Sequence, residues 1–386
     1  MTDLTTAKQM LGELISFPTI SSDSNLDAIA YMAEVLGRAG ARVEILRDDS
    51  GQKANLWATI GPQDRDGGLV FSGHSDVVPV QGQDWSRDPF DMYEHDGRLY
   101  GRGSCDMKGF IACVLAMAPR LAETVGDRPF HFAFTHDEEV GCLGGRALVE
   151  ELAKRPVRPA LALIGEPTLM QVVDGHKGCC EYTVRFTGTG GHGSSPEAGV
   201  NAVEYATRYI GKLMQLRAEL KARAPEGSPF DPPHTTINIG ALHGGTTHNV
   251  IPSAAMLDWE MRPINDADQA FVKDAVAQFI AAEILPEMRR LSPQADVVTE
   301  VVGEVCGLLP MPENQIRDMV QHLTGANGAS VVPFNTEAGL FQQLGMQAII
   351  CGPGSIEQAH KPDEFIAIDQ MAQCLDLIGK LAVHHG

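Results

Sequence analysis

Several stretches of the sequence set an imidazole or a carboxylate at the end of a short apolar run. His74 follows LVFSG, with Asp76 two residues on in GHSDVVP. Asp106 lies in the Gly-rich GRGSCDMKG, Glu138 and Glu139 follow FHFAFT in THDEEVG, Glu166 closes ALALIGEP, and His360 lies in EQAHKPDEF after QAIICG. Runs that are apolar at nearly every position predict strands covered on both faces, and in open α/β sheets ligands collect outside the carboxyl ends of such strands. Taken singly, these residues have plainer readings: His74 as a hydrogen-bonded interior histidine, Asp106 as a helix N-cap satisfying free N–H groups. Asp137, Glu138 and Glu139 are harder to dismiss, because three adjacent carboxylates at a strand end repel one another unless a cation is near. Two histidines and three or four carboxylates make a nitrogen and oxygen donor set without thiolate. Such a set suits Zn²⁺, and two such ions about 3.5–4 Å apart need a bridging carboxylate. The sequence contains no GxSxG elbow and no GxxxxGK[ST] loop, and none of its cysteines sits in a catalytic motif. Metal-assisted hydrolysis therefore fits better than acyl-enzyme or phosphate-binding chemistry.

The elements that must position these residues follow from periodicity. Leu4, Ala7, Leu11, Leu14 and Ile15 recur at helical spacing until Pro18, and Ile29, Met32, Ala33 and Leu36 repeat the pattern until Gly40. Strands are expected at 55–60, 69–73, 130–135 and 160–164, with helices at about 108–123 and 144–153, an α/β arrangement with a covered sheet. The style changes after Gly178. CCEYTVRF alternates, a long helix runs from about 199 to 223, and strands TTINIGAL, AAMLDWEMRP and ADVVTEVV follow with a helix at about 268–289 before the last. This β-α-β-β-α-β order predicts a split-βαβ layer of residues 179–305, inserted into an α/β domain formed by 1–178 and 306–386.

Composition narrows the partners. The 386 residues carry a net charge of −20, which argues against nucleic acid and anionic membrane surfaces as partners, since both require basic protein surface. The N-terminus holds Asp3 and Glu13 and lacks a basic segment followed by an unbroken apolar one, and the longest apolar run, 110–119, is about half of what a bilayer requires. A soluble cytoplasmic protein with reduced, buried thiols is expected, since the eight cysteines form no CxxC pair.

GHSDVVP, GRGSCDMKG, THDEEVG, the GEPT stretch and AHKPDE, in that order over residues 72–363, resemble the signature set of the M20 family of zinc-dependent amidohydrolases and peptidases. The resemblance implies a zinc-exopeptidase-like sheet sandwiched by helices, with an inserted ferredoxin-like α+β domain serving as lid and dimerisation surface. It implies two Zn²⁺ ions, with Co²⁺ as a substitute: Asp106 bridges them, His74 and Glu166 complete one, and Glu139 and His360 complete the other. Glu138 would be the general base, and Asp76 would accept the other N–H of His74 and fix its tautomer. Side chains of neighbours on an extended segment point apart, so Glu139 can hold an ion while Glu138 faces water. His192 in GTGGHGSSP resembles a histidine that, in family dimers, reaches the partner subunit's site and helps stabilise the oxyanion, which makes a homodimer the expected assembly. Asn249 in HNVIP, Arg262 in EMRP, Glu337 and Gly354 resemble substrate-binding positions. Arg262 would offer a bidentate fork to a substrate carboxylate, or else form a strand-end salt bridge. Phe110 departs from the pattern, since many relatives have a second Gly there.

Within the family, FNTEAGLFQQLG followed by CGPGSIEQAHKPDEFI most resembles the branch that hydrolyses N2-acetyl-L-ornithine to L-ornithine and acetate, a step of arginine biosynthesis. Glu337 would then face the substrate's terminal ammonium, against its plainer reading as a carboxylate at a helix N-terminus. Desuccinylase, aminoacylase and dipeptidase activities would keep the same machinery and take another small N-acyl or peptide substrate. A non-catalytic metal- or peptide-binding protein would have no need of Glu138.

Overall fold

The computed structural model describes residues 2–385. By its internal packing the chain divides into two compact units. One comprises the described residues up to Gly175, Pro310–Val331 and those from Thr336 onward; the other comprises His176–Leu309 and Val332–Asn335.

The first unit is built on an eight-stranded sheet in the order Arg42–Arg47, Ala54–Ile60, Phe130–Thr135, Leu69–His74, Leu161–Pro167, Gln347–Gly352, Val173–His176, Ser330–Val332. Its four central members, Phe130–Thr135, Leu69–His74, Leu161–Pro167 and Gln347–Gly352, run parallel. The first three of these are buried at every position, as strands with helices over both faces must be. Asp3–Ser16 and Ile368–His385 pack on the apolar helix Gly109–Thr124, while Leu143–Ala153 and Ala338–Gln343 pack on each other. The edge strand Arg42–Arg47 was not legible as such, because RVEILR is half-exposed along its whole length and carries no run of apolar residues.

The second unit carries a four-stranded antiparallel sheet in the order Thr236–Gly244, Ala254–Arg262, Cys179–Thr187, Asp296–Val305. Strict alternation in Ala254–Arg262 sends Ala255, Leu257, Trp259 and Met261 inward, where they meet Tyr205, Tyr209, Leu213 and Leu216 of the helix Ala202–Ala222 and Val272 and Val276 of Asp266–Phe279. The β-α-β-β-α-β order expected from the sequence is the order found. All eight cysteines are buried, and none is joined in a disulfide. No helix among the described residues is long and apolar enough to cross a membrane.

Candidate metal centre

His74 is the last residue of its strand and is 1% exposed. Its Nε2 lies 2.9 Å from Asp106 Oδ1 and 3.8 Å from Glu166 Oε1. The other oxygen of Asp106, Oδ2, lies 3.5 Å from Nε2 of His360, which in turn is 3.0 Å from Glu139 Oε2. Asp106 thus turns one carboxylate oxygen towards each histidine. Ligand-type atoms of His74, Asp106 and Glu139 fall within 4.8 Å of one another. The His360 side chain is 53% exposed, so the cluster opens to solvent on that side.

Electrostatics show what this arrangement lacks. Burial, reinforced by neighbouring carboxylates, pushes Glu138, Glu139 and Glu166 above the usual carboxylate range. Burial also opposes the Asp106 charge, but hydrogen bonds from His360 and His74 hold that carboxyl well below its ordinary value. His360 is pushed up to about 10 by Asp106 and Glu139. Burial disfavours the charged form of His74, yet the Asp106 and Asp76 carboxylates outweigh it and raise the imidazole well above its usual range. Protons on the imidazoles are therefore balancing the carboxylates, the role a cation fills better at a buried site of this charge. Glu166 Oε1 is buried without a hydrogen-bond partner, and the donors are imidazole nitrogens and carboxylate oxygens. These residues fit divalent ions such as Zn²⁺ or Co²⁺.

Neighbouring contacts fix the cluster. Phe110, the departure noted in the sequence, lays its ring where a Cβ on Gly165 would stand, 1.9 Å from that position, so only glycine fits in front of Glu166. This contact sets the Asp106 loop and helix against the Glu166 strand. Asp106 itself is not an N-cap: the helix starts at Gly109, and Asp106 has φ −120° and ψ 92°. Its N–H, with those of Gly103 and Cys105, goes instead to the buried carboxylate of Glu364. Glu364 was not singled out from the sequence, although a Gly-rich loop with several N–H donors to satisfy was itself a signal that an acceptor must be near. Of the three adjacent carboxylates, Asp137 turns away at φ 56° onto Lys53 and His136, which leaves the charges of Glu138 and Glu139 to disfavour each other. The Cys142 thiol donates to Glu138 Oε1 at 3.4 Å.

Residues 70–384 match the peptidase family M20/M25/M40. The chain belongs to this family. It is 35% identical over 380 residues to the acetylornithine deacetylase of Pasteurella multocida (strain Pm70), covering 97% of this chain and 96% of that protein. It is 36% identical over 383 residues to the acetylornithine deacetylase of Shigella sonnei (strain Ss046), covering 96% and 95%. Among solved structures, the M20 family metallo-carboxypeptidase Sso-CP2 from Sulfolobus solfataricus superposes with a TM-score of 0.76 at 17% identity, over 99% of each chain, and shows the shared fold.

The remaining M20 candidates differ in setting. His192 lies on the exposed two-residue strand Gly191–His192, paired with Val250–Ile251, and its Nδ1 is 2.8 Å from Ser194 Oγ. Asn249 adjoins it, its carbonyl accepting from the Gly193 N–H at 2.7 Å. Arg262 donates from Nε and Nη2 to Glu260 Oε2, at 3.1 and 2.9 Å, and from Nη1 to Asn335 Oδ1 at 3.1 Å, so the salt-bridge reading describes its state here. Cys179, Glu181 and Glu260 form another potential donor group, but Glu260 is taken up by Arg262. Gly354, at φ 93°, brings its Cα so close to Cys105 that a Cβ would stand 2.6 Å from Sγ. Glu337 is 1% exposed, its Oε2 lies 3.4 Å from Ser72 Oγ, and it directly precedes the helix Ala338–Gln343, so the plainer reading as a carboxylate at a helix N-terminus describes its setting here. Burial pushes it up to about 7, and its charge in turn acts on Glu138.

Proposed function

We propose that this chain hydrolyses the amide of N2-acetyl-L-ornithine to L-ornithine and acetate, in the cytoplasm and as a homodimer whose second unit serves as lid and dimerisation surface. The observation that carries the reading is the match, over at least 95% of both chains, to two proteins named acetylornithine deacetylase. On this reading His74 and Glu166 hold one divalent ion, Glu139 and His360 hold a second, and Asp106 is shared. Zinc suits the donors, and cobalt would accept the same set. When bound, such ions polarise an amide carbonyl and make water more acidic.

The chain's own groups do the rest. Glu138 takes the proton of the attacking water on its carboxylate and passes it to the nitrogen of the departing ornithine. Cys142 holds one of its oxygens. His74 keeps Nε2 directed at Asp106 because Nδ1 is engaged by the Asp76 backbone. Arg262, steadied by Glu260 and Asn335, offers its remaining N–H groups to the substrate carboxylate, with Asn249 and Gly354 as further contacts. His192 of a second copy would donate to the developing oxyanion.

The test is a substrate panel run on the Zn²⁺- or Co²⁺-loaded protein: N2-acetylornithine, succinyl-diaminopimelate, a neutral N-acetyl amino acid and a dipeptide. A kcat/KM for acetylornithine at least about tenfold above each of the others is expected. Equal or faster turnover of any of the others would overturn the substrate assignment.

A further inference from the structure

Glu364 is 1% exposed and closes the segment that carries His360. Its Oε1 accepts from the backbone N–H groups of Cys105 at 2.8 Å and Asp106 at 3.0 Å. Its Oε2 accepts from the Gly103 N–H at 3.0 Å and from Arg102 Nη1 at 2.8 Å, and its main-chain carbonyl accepts from the Gly101 N–H at 2.9 Å. Both carboxylate oxygens are therefore saturated by the one loop that carries Asp106. A third segment joins these two stretches: Gln83 Nε2 donates to the His360 carbonyl at 3.0 Å while its Oε1 accepts from Arg102, and the N–H and hydroxyl of Ser86 both donate to Asp363 Oδ1.

A Gly-rich loop turned inward leaves amide donors that cost free energy unless an acceptor is supplied, and a carboxylate supplies the strongest kind. What matters here is which amides are taken. One belongs to Asp106, whose two side-chain oxygens face His74 and His360. We infer that Glu364 is a positioning residue of the metal centre, fixing the backbone of Asp106 in register with His360 so that both address the same ions. The inference rests on the reading of Asp106 and His360 as metal-holding residues. Glu364 itself touches neither substrate nor reacting atoms and acts through Asp106.

The variants discriminate well. Each Glu364 oxygen faces two donors, so in Glu364→Gln either orientation of the amide sets an NH₂ group against two of them. Glu364→Asp keeps the charge but shortens the reach. Metal-free protein is titrated with Co²⁺ while the visible absorption of the bound ion is followed, and amide exchange of residues 101–108 is measured by mass spectrometry. In the unmutated chain that segment is expected to exchange slowly before any metal is added. Both variants are expected to exchange faster there, with the strands Leu69–His74 and Leu161–Pro167 unchanged, and to bind Co²⁺ about 10–100-fold more weakly with an altered spectrum. Unmutated affinity and spectrum in Glu364→Asp would overturn the inference, as would fast exchange of residues 101–108 in the unmutated metal-free chain, a measurement that needs no variant to fold. Asp106→Asn, titrated alongside, separates the two levels. If it loses Co²⁺ while Glu364→Asp does not, the positioning role alone fails; if it binds as the unmutated chain does, the metal reading fails and takes this inference with it.

Discussion

The Nδ1 of His74 lies 2.9 Å from the main-chain carbonyl oxygen of Asp76 and 3.5 Å from that residue's carboxylate. The backbone of Asp76, more than its side chain, is thus placed to hold the proton on Nδ1 and leave Nε2 as a donor atom. The carboxylate, which also favours the proton on His74, is shared with other donors: Oδ1 accepts from the Glu138 N–H at 3.1 Å, and Oδ2 accepts from the Glu139 N–H at 3.4 Å and from the Ser21 hydroxyl at 2.7 Å. Through its two halves Asp76 couples the His74 strand end to the turn that bears Glu138 and Glu139. The sequence reading, in which Asp76 accepts the other N–H of His74, did not distinguish these two halves.

A variant can separate the halves. Asp76→Asn leaves the carbonyl in place but sets an NH₂ group against a backbone N–H of the Glu138–Glu139 turn. The expected result is a fall in kcat of about 10–100-fold with the metal content of the purified protein unchanged. Metal analysis beside steady-state kinetics is the check, and loss of metal in parallel with activity would show that the carboxylate holds the metal-binding residues themselves, through His74 or through the turn bearing Glu139.

Glu138→Gln retains the shape of the side chain and removes its ability to take a proton. A loss in kcat of about 10²–10⁴-fold is expected, with little change in KM and with Co²⁺ still bound. A variant with near-normal kcat would exclude Glu138 as the base. One that no longer bound the ion would mean that Glu138 is itself a ligand.

Glu337 leads to a different expectation from the one its sequence context suggested. Burial of a carboxyl 1% exposed favours its neutral form, which glutamine mimics. Glu337→Gln should therefore lower kcat/KM by the same factor, about fivefold or less, on N2-acetylornithine and on a neutral N-acetyl amino acid. A loss confined to acetylornithine would restore the ammonium contact.

The strand ends were legible because the physics that buries a parallel strand on both faces leaves an unmistakable run: LVFSG and ALALIG lead directly into His74 and Glu166, and FHFAFT is followed closely by Glu138 and Glu139. What escaped reading was set by partners distant in sequence. Nothing near Asp137 announces that Lys53 will neutralise it, and although the Gly-rich loop around Asp106 needs an acceptor, nothing near it identifies Glu364 as that acceptor. The burial of Glu337 beside Ser72 is likewise a property of the folded sheet that its acidic type alone does not announce.

The sheet also carries a pH-sensitive group away from the metal cluster. His131, on the strand Phe130–Thr135, is 6% exposed, stacks on Trp57 with ring centroids 4.9 Å apart, and has Nδ1 2.9 Å from Thr59 Oγ1, while its Nε2 is buried without a partner. Burial, helped by the fields of His385 and Arg155, lowers it to about 3. In the unfolded chain an ordinary histidine takes up its proton near pH 6.5, so between about 6.5 and 3 the unfolded state binds a proton that the folded state refuses. The free energy of unfolding must therefore fall as pH drops through that window, by at most about 1.4 kcal/mol per pH unit from this group. At pH 5 the cost is about 2 kcal/mol relative to pH 8. His131→Phe keeps the stacking on Trp57 and abolishes the titration. Urea unfolding of the metal-free protein at both pH values is expected to show a pH 8 minus pH 5 difference smaller by about 2 kcal/mol in the variant, any constant cost of the lost Thr59 contact cancelling in the comparison. An identical difference in the two proteins would mean that His131 is protonated in the folded state at pH 5.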